Sequence, residues 1–189
     1  MTIQNESSRF NSSVEAPFLA TWIGERKEML VSIGIGTFSW PVVMGAAWSF
    51  WPASVVIPMT DRLAYAFQLA AIPAVLLLLM VVFCMRLFDT TEAENPLAGA
   101  ESERFKINQR VISNTIEQGL IFVPILIALS IRLTDEHLKL LPAAMTVWVT
   151  GRLLFWAGYH IAPRWRAPGF DWTMLTAILA AGWLIYTVV

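Results

Sequence analysis

Cysteine is nearly absent from this chain: 189 residues contain one, Cys84. A lone cysteine cannot close an intrachain disulfide or build a cysteine metal cluster. Histidine is almost as scarce, and His137 and His160 lie far apart in sequence, so no structural zinc and no other metal site is expected. Charge is short as well. Asp, Glu, Lys and Arg make up 14% of the residues and nearly cancel, to a formal net charge of -1, which leaves no basic excess for a nucleic-acid partner. The charges that exist are separated by long gaps. None falls between Glu28 and Asp61, between Arg62 and Arg86, or from Trp172 to Val189.

What fills those gaps is apolar. The hydrophobic set supplies 57% of the chain and tryptophan occurs nine times; the mean hydropathy is +0.60. Each gap can hold a membrane span, since a helix needs about 20 apolar residues to cross about 30 Å of hydrocarbon. The pattern predicts a polar N-terminal tail at 1–26, followed by helices near 28–51, 62–87, 106–131, 139–161 and 171–189. The apolar stretch after Glu28 is longer than the core of a cleaved signal, so it reads as a retained span. Turn chemistry marks the breaks: "WPAS" after the first span, "ENPLAGAES" before the third and "RAPGFD" before the fifth. Tryptophans at 22, 48, 51, 165 and 172 fall near the ends, as interfacial anchors do.

Orientation follows from the basic residues. With five spans, one side receives nine (Arg9, Arg26, Lys27, Arg86, Arg104, Lys106, Arg110, Arg164 and Arg166) and the other receives Arg62, Arg132 and Lys139. The side rich in arginine and lysine is expected in the cytoplasm. A four-span arrangement, with 28–51 lying along the surface, moves the tail but leaves the cytoplasmic mouth of the third span where it is.

Two spans carry charges that they cannot shed. The segment from Glu117 to Arg132 is about 21 Å long as a helix, too short to cross alone, so the helix must begin earlier and carry Asn114 and Glu117 inside the boundary. At 100° per residue, Arg110, Asn114 and Glu117 lie at about 0°, 40° and -20°, one narrow stripe. In the next span Arg152 sits near the middle, where a charge costs about 2.5–3.5 kcal/mol even on the lenient insertion scale. Phe155, Trp156 and Tyr159 stay within about 60° of its direction. Counting residues from the ends of the two helices puts Glu117 and Arg152 at similar depth, which predicts an ion pair between them, within or between subunits.

These residues have a resemblance. "RVISNTIEQ", Arg110 to Gln118, is similar to the Arg-x-x-x-Asn-x-x-Glu helix of the MAPEG superfamily, the membrane-associated proteins in eicosanoid and glutathione metabolism. "GRLLFWAGYHIAPRWRAPGF", from Gly151, resembles the same family's Arg-x-x-aromatic-x-x-x-Tyr helix and its arginine-bearing turn. The likeness covers 62–189, four spans. It implies an all-α membrane protein with a MAPEG-like four-helix transmembrane bundle, preceded here by an additional N-terminal transmembrane or interfacial helix at 28–51, and assembled as a homotrimer. It further implies glutathione as co-substrate. Arg110, Asn114, Glu117, Arg152 and Tyr159 match the family's glutathione-binding positions, and Arg86 matches a further arginine by position. The thiol-activating arginine falls on Arg166, with Arg164 as the alternate. Phe155 stands at an aromatic or histidine position of the family and Gln118 replaces a tyrosine, which weighs against a leukotriene-type or prostaglandin-type specialisation.

The resemblance therefore implies a glutathione-dependent transferase or peroxidase-like protein in a membrane, the inner membrane if the cell is bacterial. Its site would face the cytoplasm and its thiolate would attack hydrophobic electrophiles arriving through the bilayer. A non-catalytic member of the same fold, binding a lipid or a partner protein, is the alternative. A small transporter subunit is a third reading, opposed by charges that cluster toward one side and by the lack of an inverted repeat.

Overall fold

A computed structural model of the chain describes residues 4–52, 56–82 and 101–188, and side chains of the first helix from Arg26 onward. Among the described residues there are five α-helices: α1 (Gln4–Phe50), α2 (Met59–Leu79), α3 (Glu103–Arg132), α4 (Leu140–Ile161) and α5 (Ala167–Val188). Short 3-10 turns over Asp135–His137 and Pro163–Arg166 join α3 to α4 and α4 to α5. All five helices contain stretches long and apolar enough to cross a membrane; the first such stretch is Arg26–Phe50. The architecture is thus the expected all-α bundle.

Boundaries differ from expectation in two places. The backbone of α1 is helical from Gln4, so the segment expected as a tail continues into the span without a break. "RAPGFD", expected as a turn, runs from the last residue of the 3-10 turn, Arg166, into the start of α5. Pro168 is tolerated there because the first-turn N–H groups have no helical acceptor to lose. The turn instead comes earlier, at Ala162, which is extended (φ -165, ψ 148) ahead of Pro163, as residues preceding proline favour. At the start of α3, Ser102 caps the helix by accepting the N–H of Phe105 at 3.1 Å.

Helix α4 is the axis of the bundle, the most deeply buried of the described helices. Its inner residues Leu141, Ala144, Met145 and Trp148 meet Phe122, Leu126 and Leu129 of α3, Met44 and Ala47 of α1, and Ala177 and Ala180 of α5. Trp148 stacks on Phe122, with ring centroids 5.6 Å apart and planes 6° from parallel. Lipid is as apolar as leucine, so membrane helices associate through close packing and polar contacts. The α4–α5 crossing shows this: a Cβ on Gly169 would lie 2.2 Å from the backbone N of Phe155 and 2.5 Å from the carbonyl of Gly151. Backbone touches backbone there.

One end of the bundle is tied by Arg62, which the sequence placed at the start of the second span on the side poorer in basic residues. It is buried at the start of α2, where it donates to the carbonyls of Ile57, at 3.1 Å, and Leu133, and pairs with Asp135. The residues proposed for ligand binding gather toward the opposite end.

Candidate functional site

Arg152 is fully buried at the centre of the bundle. Its Nη1 donates to Asn114 Oδ1 of α3 at 2.7 Å and its Nη2 to Thr173 Oγ1 of α5 at 2.6 Å. The guanidinium carbon lies 4.6 Å from the ring centre of Phe155 and 5.9 Å from that of Trp148. Neutral oxygens and aromatic faces therefore surround this charge.

The ion pair with Glu117 expected from depth does not form within the chain. Among the described residues Arg152 has no carboxylate within salt-bridge distance, and Glu117 is exposed. The reason is register: Arg152 stands level with Asn114, about one turn from Glu117 along the same stripe, and α5 supplies the second acceptor. Counting along α3 and α4 alone could not include Thr173.

The turn after α4 sets the two remaining arginines. It lies so close to α4 that a Cβ on Gly158 would come within 2.2 Å of the carbonyl oxygen of Trp165, so glycine is required there by close approach. Arg164 points to α1, where its Nη1 donates to Glu28 Oε2 at 2.7 Å and its carbonyl accepts from Ser32 Oγ at 2.7 Å. Arg166 points the other way. Its Nη1 donates to the Tyr159 hydroxyl at 2.6 Å, with the guanidinium carbon 4.9 Å from the centre of that ring.

Tyr159 and Arg166 face a cavity of about 570 Å³, within the range of small-molecule sites. Helix α3 contributes Gln109, Arg110, Ser113, Asn114 and Glu117; α4 adds Phe155 beside Tyr159; Ala167, Phe170 and Asp171 of α5 form the floor, and Met29 and Ile33 of α1 close a side. Arg110 and Glu117 are exposed to this space. Arg110, Asn114, Glu117, Tyr159 and Arg166 thus share one cavity. Arg152 stands behind it, holding Asn114, and Arg164 lines none of it. Arg86 and Cys84 lie outside the described residues.

The histidines belong elsewhere. His160 Nε2 is 2.9 Å from Asn108 Oδ1, which also accepts from Trp156 Nε1 at 3.1 Å. His137, at the other end, has Nδ1 2.8 Å from Thr134 Oγ1 and its ring among Trp48 and Trp183. No grouping of three or more metal-ligating side chains occurs among the described residues.

Sequence reasoning missed Thr173, Asp171, Met29 and Ile33. Thr173 and Asp171 had a signal, being polar residues in a span that is otherwise almost wholly apolar. Met29 and Ile33 had none, because apolar residues in an apolar span carry no mark of what they face.

Comparison with known proteins places the chain. It is 24% identical to Transmembrane protein 79 of Mus musculus over 167 residues, which is 86% of this chain and 42% of the relative. The protein of the same name from Bos taurus is also 24% identical over 167 residues, 86% of this chain and 41% of the relative. The chain spans about two fifths of the length of these relatives. No solved structure matches it significantly. The MAPEG family model matches residues 63–186, which take in all but the first few residues of α2 and almost all of α3, α4 and α5. The 86% shared with the mammalian relatives is longer than that segment, so it includes part of the α1 region. With well over half its length in the family segment and five helices able to span a bilayer, the protein is an integral, multi-pass membrane protein of the MAPEG family.

Proposed function

We propose that the protein is a glutathione-dependent transferase or peroxidase-like enzyme that activates the glutathione thiol at the membrane. One observation carries this reading: a single cavity presents two guanidiniums, Arg110 and Arg166, together with the Glu117 carboxylate and the Asn114 amide. Glutathione has two carboxylates, one ammonium and a thiol. Arginine forks suit carboxylates, and a carboxylate pairs with an ammonium.

The chemistry follows from what each group can hold. Arg110 binds a glutathione carboxylate and Glu117 its amine, while Asn114, oriented by Arg152, contacts the peptide backbone. Arg166 lies next to the sulfur, with one N–H fixed on the Tyr159 hydroxyl and others free to face the ligand. A thiol's free pKa is about 8.5 and falls beside a guanidinium, so the thiolate forms at neutral pH and becomes the nucleophile. Its sulfur lone pair forms the new C–S bond, and the electrons displaced from the electrophilic carbon leave with the departing group or are protonated by water. The bias of basic residues supports a cytoplasmic face for the cavity, and the family resemblance supports a homotrimer.

The test is glutathione binding by purified protein in detergent, followed by ultraviolet thiolate absorbance. Binding with a thiolate band is expected. Binding without it would return the reading to a non-catalytic member of the fold, and no binding would remove the ligand assignment altogether.

A further inference from the structure

The four-helix family segment does not account for α1, yet α1 lines the cavity. Met29, Ser32, Ile33 and Gly36 follow the i, i+3, i+4, i+7 spacing of one helix face. Where that face meets the turn and α5 it is small and polar. Ser32, 3% exposed, donates to the carbonyl of Arg164 at 2.7 Å, and Glu28 holds the Arg164 side chain at 2.7 Å. A Cβ on Gly36 would lie 2.6 Å from Asp171 Oδ2 and 2.7 Å from Pro168 Cα, and Trp172 Nε1 donates to Ser39 Oγ at 2.9 Å. Where the face meets the cavity it is apolar: Met29 and Ile33 are 44% and 38% exposed and both line it. Small-residue packing and hydrogen bonds hold α1 against the turn and α5, so this wall has little freedom to withdraw.

The cavity is therefore divided by chemistry. Its charged and amide groups come from α3, from Arg166 and from Asp171 of α5; its apolar lining comes chiefly from Phe155, Phe170 and α1. We propose that Met29 and Ile33 form the subsite for the apolar part of the second substrate, which makes α1 the specificity-determining helix of the site. The inference rests on the glutathione reading above, because it assigns the polar lining to the tripeptide. A wall held this closely admits a compact alkyl or aryl group attached near the reacting carbon and excludes groups too wide to pass beside Ile33.

The test compares glutathione with S-hexylglutathione, a thioether that carries the apolar group and cannot react further, by calorimetry on the full chain in detergent. Wild type should bind the hexyl derivative more tightly. Ile33→Trp should cut that preference about tenfold, the loss expected when about two buried methylenes return to water, while leaving glutathione affinity unchanged. Leu30→Trp, on the same helix but outside this cavity and 66% exposed, should change neither. If Ile33→Trp does not fold, Met29→Ala and Ile33→Ala should each weaken the hexyl derivative several-fold relative to glutathione. A preference unaltered by the folded variants, with both ligands still bound, would overturn the role of α1 and leave the glutathione reading standing. Failure of wild type to bind either ligand would overturn both.

Discussion

Replacing Asn114 with leucine and Arg152 with methionine, singly and together, measures what holds the buried charge at the centre of the bundle. The two side chains are 2.7 Å apart, and Arg152 is fully buried, so water cannot take the place of the lost amide. A hydrogen bond to a charged group is worth about 1.5–3 kcal/mol, whereas coupling energies inside membranes average about 0.6 and reach about 1.7 kcal/mol. Full burial puts this pair at the upper end of the membrane range, about 1.5 kcal/mol, or roughly tenfold in the folded-to-unfolded ratio. Asn114→Leu alone should cost about 2–3 kcal/mol, because it leaves a buried guanidinium with Thr173 as its remaining hydrogen-bond partner. In the Arg152→Met background the same change should cost less than about 1 kcal/mol. Equilibrium unfolding in mixed detergent micelles reads all four corners of the cycle. Additivity within about 0.5 kcal/mol would refute the hydrogen-bonded geometry. A parallel cycle with Glu117→Gln should be additive in subunits kept monomeric; coupling there would reinstate the ion pair that residue counting predicted.

Three further outcomes follow from the same contacts. Arg166→Ala should abolish the thiolate band of bound glutathione while binding persists. Arg164→Ala should keep the band, because that side chain is directed to Glu28; equal loss in both variants would remove the distinction. Gly158→Ala should destabilise by about 3 kcal/mol, at the high end for overpacking, since the added methyl meets the backbone of Trp165 at 2.2 Å; an unchanged melting temperature would contradict that close approach. At the opposite end, Arg62→Met should cost about 2–3 kcal/mol by stranding the carbonyls it serves, but Asp135→Asn less than about 1 kcal/mol, because Asp135 is half exposed. Chemical unfolding of both variants checks the order.

The parts of the site that were legible in the sequence are those where burial conflicts with chemistry. Arg110, Asn114 and Glu117 could be placed on one stripe because the span was too short without them. Arg152 could be recognised as needing partners because a charge in mid-membrane is costly. The family likeness added Tyr159 and Arg166, which share the cavity with that stripe. The likeness put Arg166 ahead of Arg164, but what each side chain touches was beyond sequence reasoning: they are two positions apart on one short turn, and their directions depend on Glu28, Ser32 and Tyr159, which lie on helices α1 and α4.

Hydropathy and span length by themselves determined that the chain is a helical membrane protein, that about five segments are long and apolar enough to span, and which polar residues enter them. These are properties of single segments against a 30 Å slab of hydrocarbon, at about that thickness for any bilayer, so each segment reports its own. The tertiary structure decided what those polar residues touch. Thr173 rather than Glu117 completes the Arg152 fork, and α1 lines one side of the cavity, because register and helix crossing are set by where glycine and serine let backbones meet. Such contacts join residues on different elements, 21 positions apart in sequence for Arg152 and Thr173 and 132 for Ser32 and Arg164, and no local pattern encodes them.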